Sequence, residues 1–463
     1  MCRSLRLLLF WIVTFVACGW AQSEPSVTPT SREALVMEDV TLIDGTGSPP
    51  RAHLEIAIAN GRIQAIGPTG RLKRPPHARV VSGTGRYVIP GLFDTHAHVT
   101  FLSDPNNLAS YDRATSEQIL RILLANGITT VRNPAAPPAE GVKLREDVRT
   151  QIISGPRIFT AGDPLDWAED KSEEEIRTEV GRQAAIGVDY IKVYARMHPR
   201  NIEAVISEAH RHNLKVVGHL QETTPTEAVR LGIDAITHGA TWSAALLPAN
   251  KRQLYDQRRR AVGSMRARLD WLEWVDLKGP EITEMIKTVA KARVPLDPTL
   301  IAYVTKFRSR DPRYRNSPYS NGTPQPVLKT WQKPFPYWKD EDIERGERLW
   351  PKLLQLTKAY YDAGALLMAG SDFPNAFVIP GASIHDEMEL LVEAGISPLN
   401  VLRIATRDSA EGLGILQDVG TVEAGKRADL VVLEADPVAD IQNTRRIRQV
   451  IYGGNLLDPS AER

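Results

Sequence analysis

Between residues 88 and 413 the chain alternates two hydropathy patterns. Short apolar runs at 92–98, 128–133, 157–161, 188–194, 215–219, 235–238, 294–300 and 366–372 have strand length. The stretches between them, such as 116–125, 173–185 and 201–212, repeat apolar residues at helical spacing. Eight strands with intervening helices predict a (β/α)8 TIM barrel rather than an open parallel sheet. The intervals 239–293 and 301–365 are too long for single connections. They are expected to carry extra helices or lid segments over the barrel mouth.

The flanks read differently. Residues 34–43, 54–59, 63–66 and 78–81 form short apolar runs punctuated by Gly and Pro, and Asn60-Gly61 after an alternating run predicts a hairpin. Helices are expected at 384–394 and 398–413, after which strands return at 428–434 and 449–452. These last strands are expected to complete the N-terminal β unit. The predicted fold class is therefore α/β, a distorted (β/α)8 barrel (88–418) with a flanking split β-sandwich (22–87 and 419–463).

Residues 1–21 stand apart. Arg3 and Arg6 precede an apolar run, 7–17, too short to span a bilayer comfortably, and Gly19 and Ala21 supply small residues before a cleavage point. This is the pattern of a secretory signal peptide cleaved after Ala21, which predicts a periplasmic or secreted protein. A retained anchor helix and lipid attachment at Cys18 are the alternatives. The only two cysteines, Cys2 and Cys18, lie in this leader. A mature chain without it has no disulfide and no thiolate ligand. With 24% charged residues and a formal net charge of +1, nothing points to a nucleic acid or a membrane surface as partner. No membrane span is expected in the mature chain, and homo-oligomerisation is left open.

The expected strands end in a distinctive set of side chains. The first carries His96 and His98, one residue apart and therefore on one face. The fifth and sixth end in His219 and His238, and the eighth ends in Gly370-Ser371-Asp372. Barrels of this kind carry their chemistry at the C-terminal strand ends. Imidazoles with a carboxylate form a ligand set for divalent metals, although two histidines after a short strand can also be plain surface residues. Alternation in the fourth strand places Tyr190, Lys192 and Tyr194 on the barrel side and Ile191 and Val193 on the helix side. A bare ammonium inside the barrel is costly to desolvate and repels cations. Carbamylation by CO2 converts it to an anion whose two oxygens can bridge two metals. Snorkelling to the rim or pairing with an aspartate is the alternative.

Asp372 is suited to ligate a metal, to take a proton from water and to pass it to a leaving group. Its plainer role is as a helix cap. Tyr194, His198 and His385 are secondary candidates for substrate binding at the same mouth, and each is otherwise a surface or capping residue. The run Arg258-Arg259-Arg260 reads as a solvated helix face, with carboxylate binding as the alternative.

Taken together, segments 42–47, 90–98, 190–194, 218–219, 237–239, 370–372 and 420–434 resemble, in order, the amidohydrolase superfamily. The resemblance is to the branch of imidazolonepropionase and of binuclear-metal dipeptidases with a carboxylated lysine. It implies that His96, His98 and Asp372 hold one divalent metal and His219 and His238 a second. N6-carboxylated Lys192 would bridge them, with zinc as the expected metal. Together with the leader, which predicts export, it implies a hydrolase that cleaves an amide bond of a small peptide or N-acyl amino acid by a metal-bridging hydroxide, with Asp372 shuttling the proton. A hydrolase of a cyclic amide, lactone or phosphoester is the alternative on the same site. In a different class, a catalytically silent metal- or solute-binding protein is another. The intervals 239–293 and 301–365 match no family motif, so the substrate stays open.

Overall fold

The computed structural model describes residues 33–104, 107–332, 335 and 338–459. The predicted leader, 1–21, lies outside them. The chain begins with β1 (Leu35–Leu42), β2 (Arg51–Ala59), β3 (Arg62–Pro68), β4 (Arg79–Ser82) and β5 (Tyr87–Pro90). The β2–β3 hairpin turns at Asn60 and Gly61 with φ of 53° and 75°. Two consecutive left-handed residues are what a tight hairpin turn requires, and Asn-Gly supplies them at low cost.

Seven parallel strands follow: β6 (Leu92–Asp94), β7 (Ile128–Asn133), β8 (Arg157–Thr160), β9 (Tyr190–Val193), β10 (Lys215–His219), β11 (Ala235–Thr237) and β12 (Leu296–Asp297). They form one run β6-β7-β8 and another β9-β10-β11-β12. A bridge from Ala161 to Tyr190 joins the runs. Segment 366–373 closes the ring. Leu296 N donates to Leu366 O (3.0 Å) and Met368 N to Leu296 O (2.9 Å) on one side. On the other, Thr95 N donates to Ala369 O (2.8 Å) and Asp372 N to His96 O (2.7 Å). The barrel is therefore closed by eight staves.

Three staves differ from the strands read in the sequence. The first strand stops at Asp94, because the Asp94 carboxylate accepts from His96 N (3.1 Å) and draws the backbone out of the ladder. The seventh shrinks to Leu296–Asp297. The eighth, 366–372, forms no regular strand. It changes partner halfway, from β12 to residues 95–98, so neither ladder runs long enough.

The apolar faces sort as alternation requires. Ile191 and Val193 pack outward among helix side chains such as Ile202 and Val205. Phe93, Tyr190, Val217 and Ala235 fill the floor of the barrel. The long interval before β12 holds helices Ala249–Val262, Ser264–Trp274 and Pro280–Ala292, and the one after it holds Leu300–Phe307 and Asp340–Asp362.

After the barrel come β13 (Leu430–Leu433), β14 (Ile447–Tyr452) and β15 (Asn455–Leu457). β13 pairs with β5, so both chain ends share one eight-stranded sheet in the order β15-β14-β13-β5-β1-β2-β3, with β4 beside β1. The sheet rolls back on itself. Ile63 N donates to Lys426 O (2.9 Å) and Ala428 N to Gly61 O (2.9 Å). The rolled sheet encloses Leu35, Met37, Ile56, Val88, Leu430 and Val432. It does the work of a sandwich as one continuous sheet.

Candidate metal centre

The barrel mouth gathers the ends of β6, β9, β10, β11 and β12 and the 370–373 turn. Asp94 ties the first and last staves, accepting from Ser371 N (2.9 Å) and Ser371 Oγ (2.6 Å) as well as from His96 N. Burial lifts its carboxyl to about 6. A Cβ on Gly370 would sit 2.8 Å from the His96 Cβ and 3.3 Å from the Asp297 Cβ. Only glycine lets the staves approach that closely.

His96, His98 and Asp372 converge, with ligand atoms within 4.8 Å of one another. His96 Nε2 lies 3.2 Å and His98 Nε2 3.7 Å from the same Asp372 Oδ1. The far side of His96 is anchored, its Nδ1 3.0 Å from Asp297 Oδ1. The other Asp297 oxygen accepts from Arg132 (2.5 Å), which also donates to Thr95 O (2.7 Å). Asp297 and Arg132 are both fully buried. A carboxylate on the back of an imidazole fixes its tautomer and aims the other nitrogen at a metal.

The His219 and His238 rings lie 4.4 Å apart, and His238 is 5.0 Å from His96. His238 Nδ1 meets Thr299 Oγ1 at 2.7 Å, leaving Nε2 free of that anchor. His238, Thr299 and Asp372 all hold left-handed backbone, with φ of 69°, 50° and 58°. Such residues cost about 1–3 kcal/mol each and persist where the surroundings over-determine them.

Lys192 is 2% exposed. Its Nζ donates to Thr237 Oγ1 (3.1 Å), and that hydroxyl donates to Gly218 O (3.1 Å). Among the described residues no carboxylate bonds it. Burial, and after it the Arg132 charge, pull the ammonium down to about 7. A neutral amine is thus available near neutral pH.

The charges around the imidazoles are uneven. Burial depresses His98, His219 and His238, which favours the neutral ring that ligation needs. Burial opposes protonation of His96 too, yet the Asp372 and Asp297 carboxylates outweigh it and raise that ring. Burial also works against ionised Asp372, but the charge and hydrogen bond of His96 hold its carboxyl well below the usual range.

This donor set fits divalent cations. It offers neutral imidazoles, one carboxylate and a buried amine that meets no carboxylate, and no thiolate that would favour a softer metal.

Of the secondary candidates, Tyr194 is at the mouth, its ring 4.4 Å from His219 and 38% exposed. His198 is not. Its Nε2 bonds Ala168 O (2.9 Å), and it lines an outer surface hollow with Asp170 and Arg200. His385 is also displaced from its expected place. It is buried, with Nδ1 2.9 Å from Thr444 Oγ1 and Nε2 3.1 Å from Asn126 O, where it links three segments outside the mouth. Arg258 and Arg259 spend their charge on Asp270 and Glu222.

Asp297, Arg132 and Thr299 were not singled out by sequence reasoning. A charge inside an otherwise apolar strand was the available signal, since Arg132 interrupts 128–133 and Asp297 interrupts 294–300. Asp297→Asn is expected to weaken metal binding about 10–100-fold. Competition against a chelator measures it. Unchanged affinity would mean that Asp297 serves Arg132 alone.

Comparison with known proteins agrees with this architecture. Residues 87–457 match the Amidohydrolase family. The imidazolonepropionase of Symbiobacterium thermophilum is 23% identical over 437 residues, 86% of this chain and 85% of that protein. A structure described as that of a prolidase from Bifidobacterium longum superposes with a TM-score of 0.66 at 26% identity, covering 92% of this chain and 95% of that one. A Xaa-Pro dipeptidase with bound methionine in its active site gives a TM-score of 0.67 at 19% identity, over 92% and 100% of the two chains. At that identity the likeness shows the fold alone.

Proposed function

The chain belongs to the amidohydrolase family, a hydrolase acting on carbon–nitrogen bonds, and on that premise we propose that it cleaves an amide bond of a small peptide or N-acyl amino acid. The observation that carries this is the meeting of His96, His98 and Asp372 beside His219, His238 and an inward Lys192 that has no carboxylate partner among the described residues. His96, His98 and Asp372 would hold one divalent cation, zinc by its ligand types, and His219 and His238 a second. The cations would supply Lewis acidity and lower the pKa of water toward about 7.

In this reading Lys192 is carboxylated. Its neutral amine attacks the carbon of CO2, an N–C bond forms, and one proton leaves. The product is an anion with two oxygens. Arg132, whose charge disfavours an ammonium here, favours that anion.

Asp372 handles the proton. As a carboxylate it accepts the proton of the attacking water and hands it to the amide nitrogen as the C–N bond breaks. Its depression comes chiefly from the charge and hydrogen bond of His96, which keep it ionised and ready to accept a proton. Tyr194, beside His219, is placed to donate to a substrate oxygen. Turnover of a panel of dipeptides and N-acyl amino acids by the zinc-loaded chain tests the reading. Hydrolysis within the panel is expected, and turnover confined to lactones or phosphoesters would overturn it.

The signal-like residues 1–21 support export. N-terminal sequencing of the exported protein should begin at Gln22. An intact leader would argue for the retained anchor.

A further inference from the structure

Several arginines on the helices over the mouth are paired with carboxylates. Arg252 meets Glu281, Arg258 meets Asp270, Arg259 meets Glu222 and Arg266 meets Asp342. Arg268, half-buried on helix Ser264–Trp274, meets no carboxylate among the described residues. Its guanidinium carbon lies 5.3 Å from the Trp242 ring centroid and 6.0 Å from that of Tyr303. Lys306, on helix Leu300–Phe307, is 6% exposed and sits 5.9 Å from the same Tyr303 ring. Its one hydrogen-bond partner among the described residues is the neutral Asn375, at 2.9 Å.

Both cations adjoin the metal centre through the Tyr303 ring. Tyr303 packs edge-on against His238, with centroids 6.0 Å apart. Asn375, which holds Lys306, also donates to Asp372 O (2.8 Å). Burial and the nearby Arg268 charge push the Lys306 ammonium down to about 8. Two unneutralised cations gathered in a half-dry place are costly to the free protein. They become favourable when an anion arrives.

Resting on the amide-hydrolase reading above, we propose that Arg268 and Lys306 form the subsite for the free α-carboxylate of the substrate, against the aromatic wall of Trp242 and Tyr303. The guanidinium fork would take the two carboxylate oxygens and Lys306 would add a point charge. This assigns a role to the two long insertions, which contribute one cation each. It also moves carboxylate recognition from Arg258-Arg259-Arg260 to a residue one helix further on.

The test compares N-acetyl-L-leucine with N-acetyl-L-leucinamide as ligands of the metal-loaded full chain carrying Asp372→Asn, which keeps hydrolysis slow, by calorimetry. The pair differs only in the charged group. The acid is expected to bind about tenfold or more tighter than the amide, and salt should erode the difference. Arg268→Met and Lys306→Met should each lower the acid-over-amide ratio about tenfold. Arg268→Lys should fall between, because it keeps charge and loses the fork. Two separate variants guard against one that fails to fold. Equal affinity in the parent protein, or variants that weaken both ligands alike, would overturn the subsite. Dipeptide hydrolysis without preference for the free carboxylate removes the subsite alone. Selective binding of the acid with no hydrolysis of any amide keeps the subsite and removes the hydrolase reading.

Discussion

Replacing Asp372 by Asn is expected to lower turnover by about 10²–10⁴, the usual worth of general acid–base catalysis. The amide keeps the size of the side chain and one ligating oxygen, but it cannot accept a proton. Metal occupancy should fall only modestly, since His96, His98, His219, His238 and Lys192 remain. KM should change little, because the loss lies in the transition state. The fold should also survive. The Asp372 backbone is held by its bond to His96 O, which the substitution leaves in place. Steady-state kinetics with parallel metal analysis checks this. Parent-like turnover would mean another group carries the proton. Tyr194 is then the next to examine, because both ring nitrogens of His385 are already engaged outside the mouth.

Lys192→Ala is expected to cost the second metal and about a hundredfold or more of activity, above the loss seen when only an outer partner of a ligand is removed. Lys192→Arg should not rescue it, since a guanidinium stays charged and offers no anionic oxygen. A short carboxylic acid added to Lys192→Ala should restore part of both. The same residue sets a pH dependence in protein stripped of metal and carbamate. With its ammonium brought to about 7, Lys192 is mostly protonated below that value and mostly neutral above it. Carboxylation consumes the neutral form, so at equal dissolved CO2 reactivation with zinc should be faster at pH 8 than at pH 6. The neutral fraction changes about tenfold over that interval. A reactivation rate that is flat or falls with rising pH at equal dissolved CO2 would contradict the carbamate.

How much of this was legible in the sequence depended on the range of the interactions involved. Local patterns were readable. The Asn60-Gly61 turn, strand 215–219 and the inward face of Lys192 follow from alternation and turn chemistry within a few residues. The strand-end histidines marked the mouth because no other arrangement explains their spacing so simply. Staves that depend on distant partners were misread. Segment 366–372 looks like a strand by composition, but it divides its bonds between β12 and residues 95–98, and nothing local announces that. Asp297 was hidden for the same reason, since its partners His96 and Arg132 lie far away in sequence. His385 was misplaced because its position after the last stave suggested the mouth, while the helix it opens turns its ring toward Thr444 and Asn126. Arg268 gave no sequence signal, because only the structure reveals that it meets no carboxylate among the described residues and lies against Trp242 and Tyr303.

The most direct test of the central claim is the metal content of the purified full chain, by elemental analysis, read alongside dipeptide turnover before and after chelation. The account predicts close to two zinc-like ions per chain, loss of turnover as they are removed and recovery when zinc and bicarbonate are returned. Full turnover in protein shown to be free of metal would contradict it.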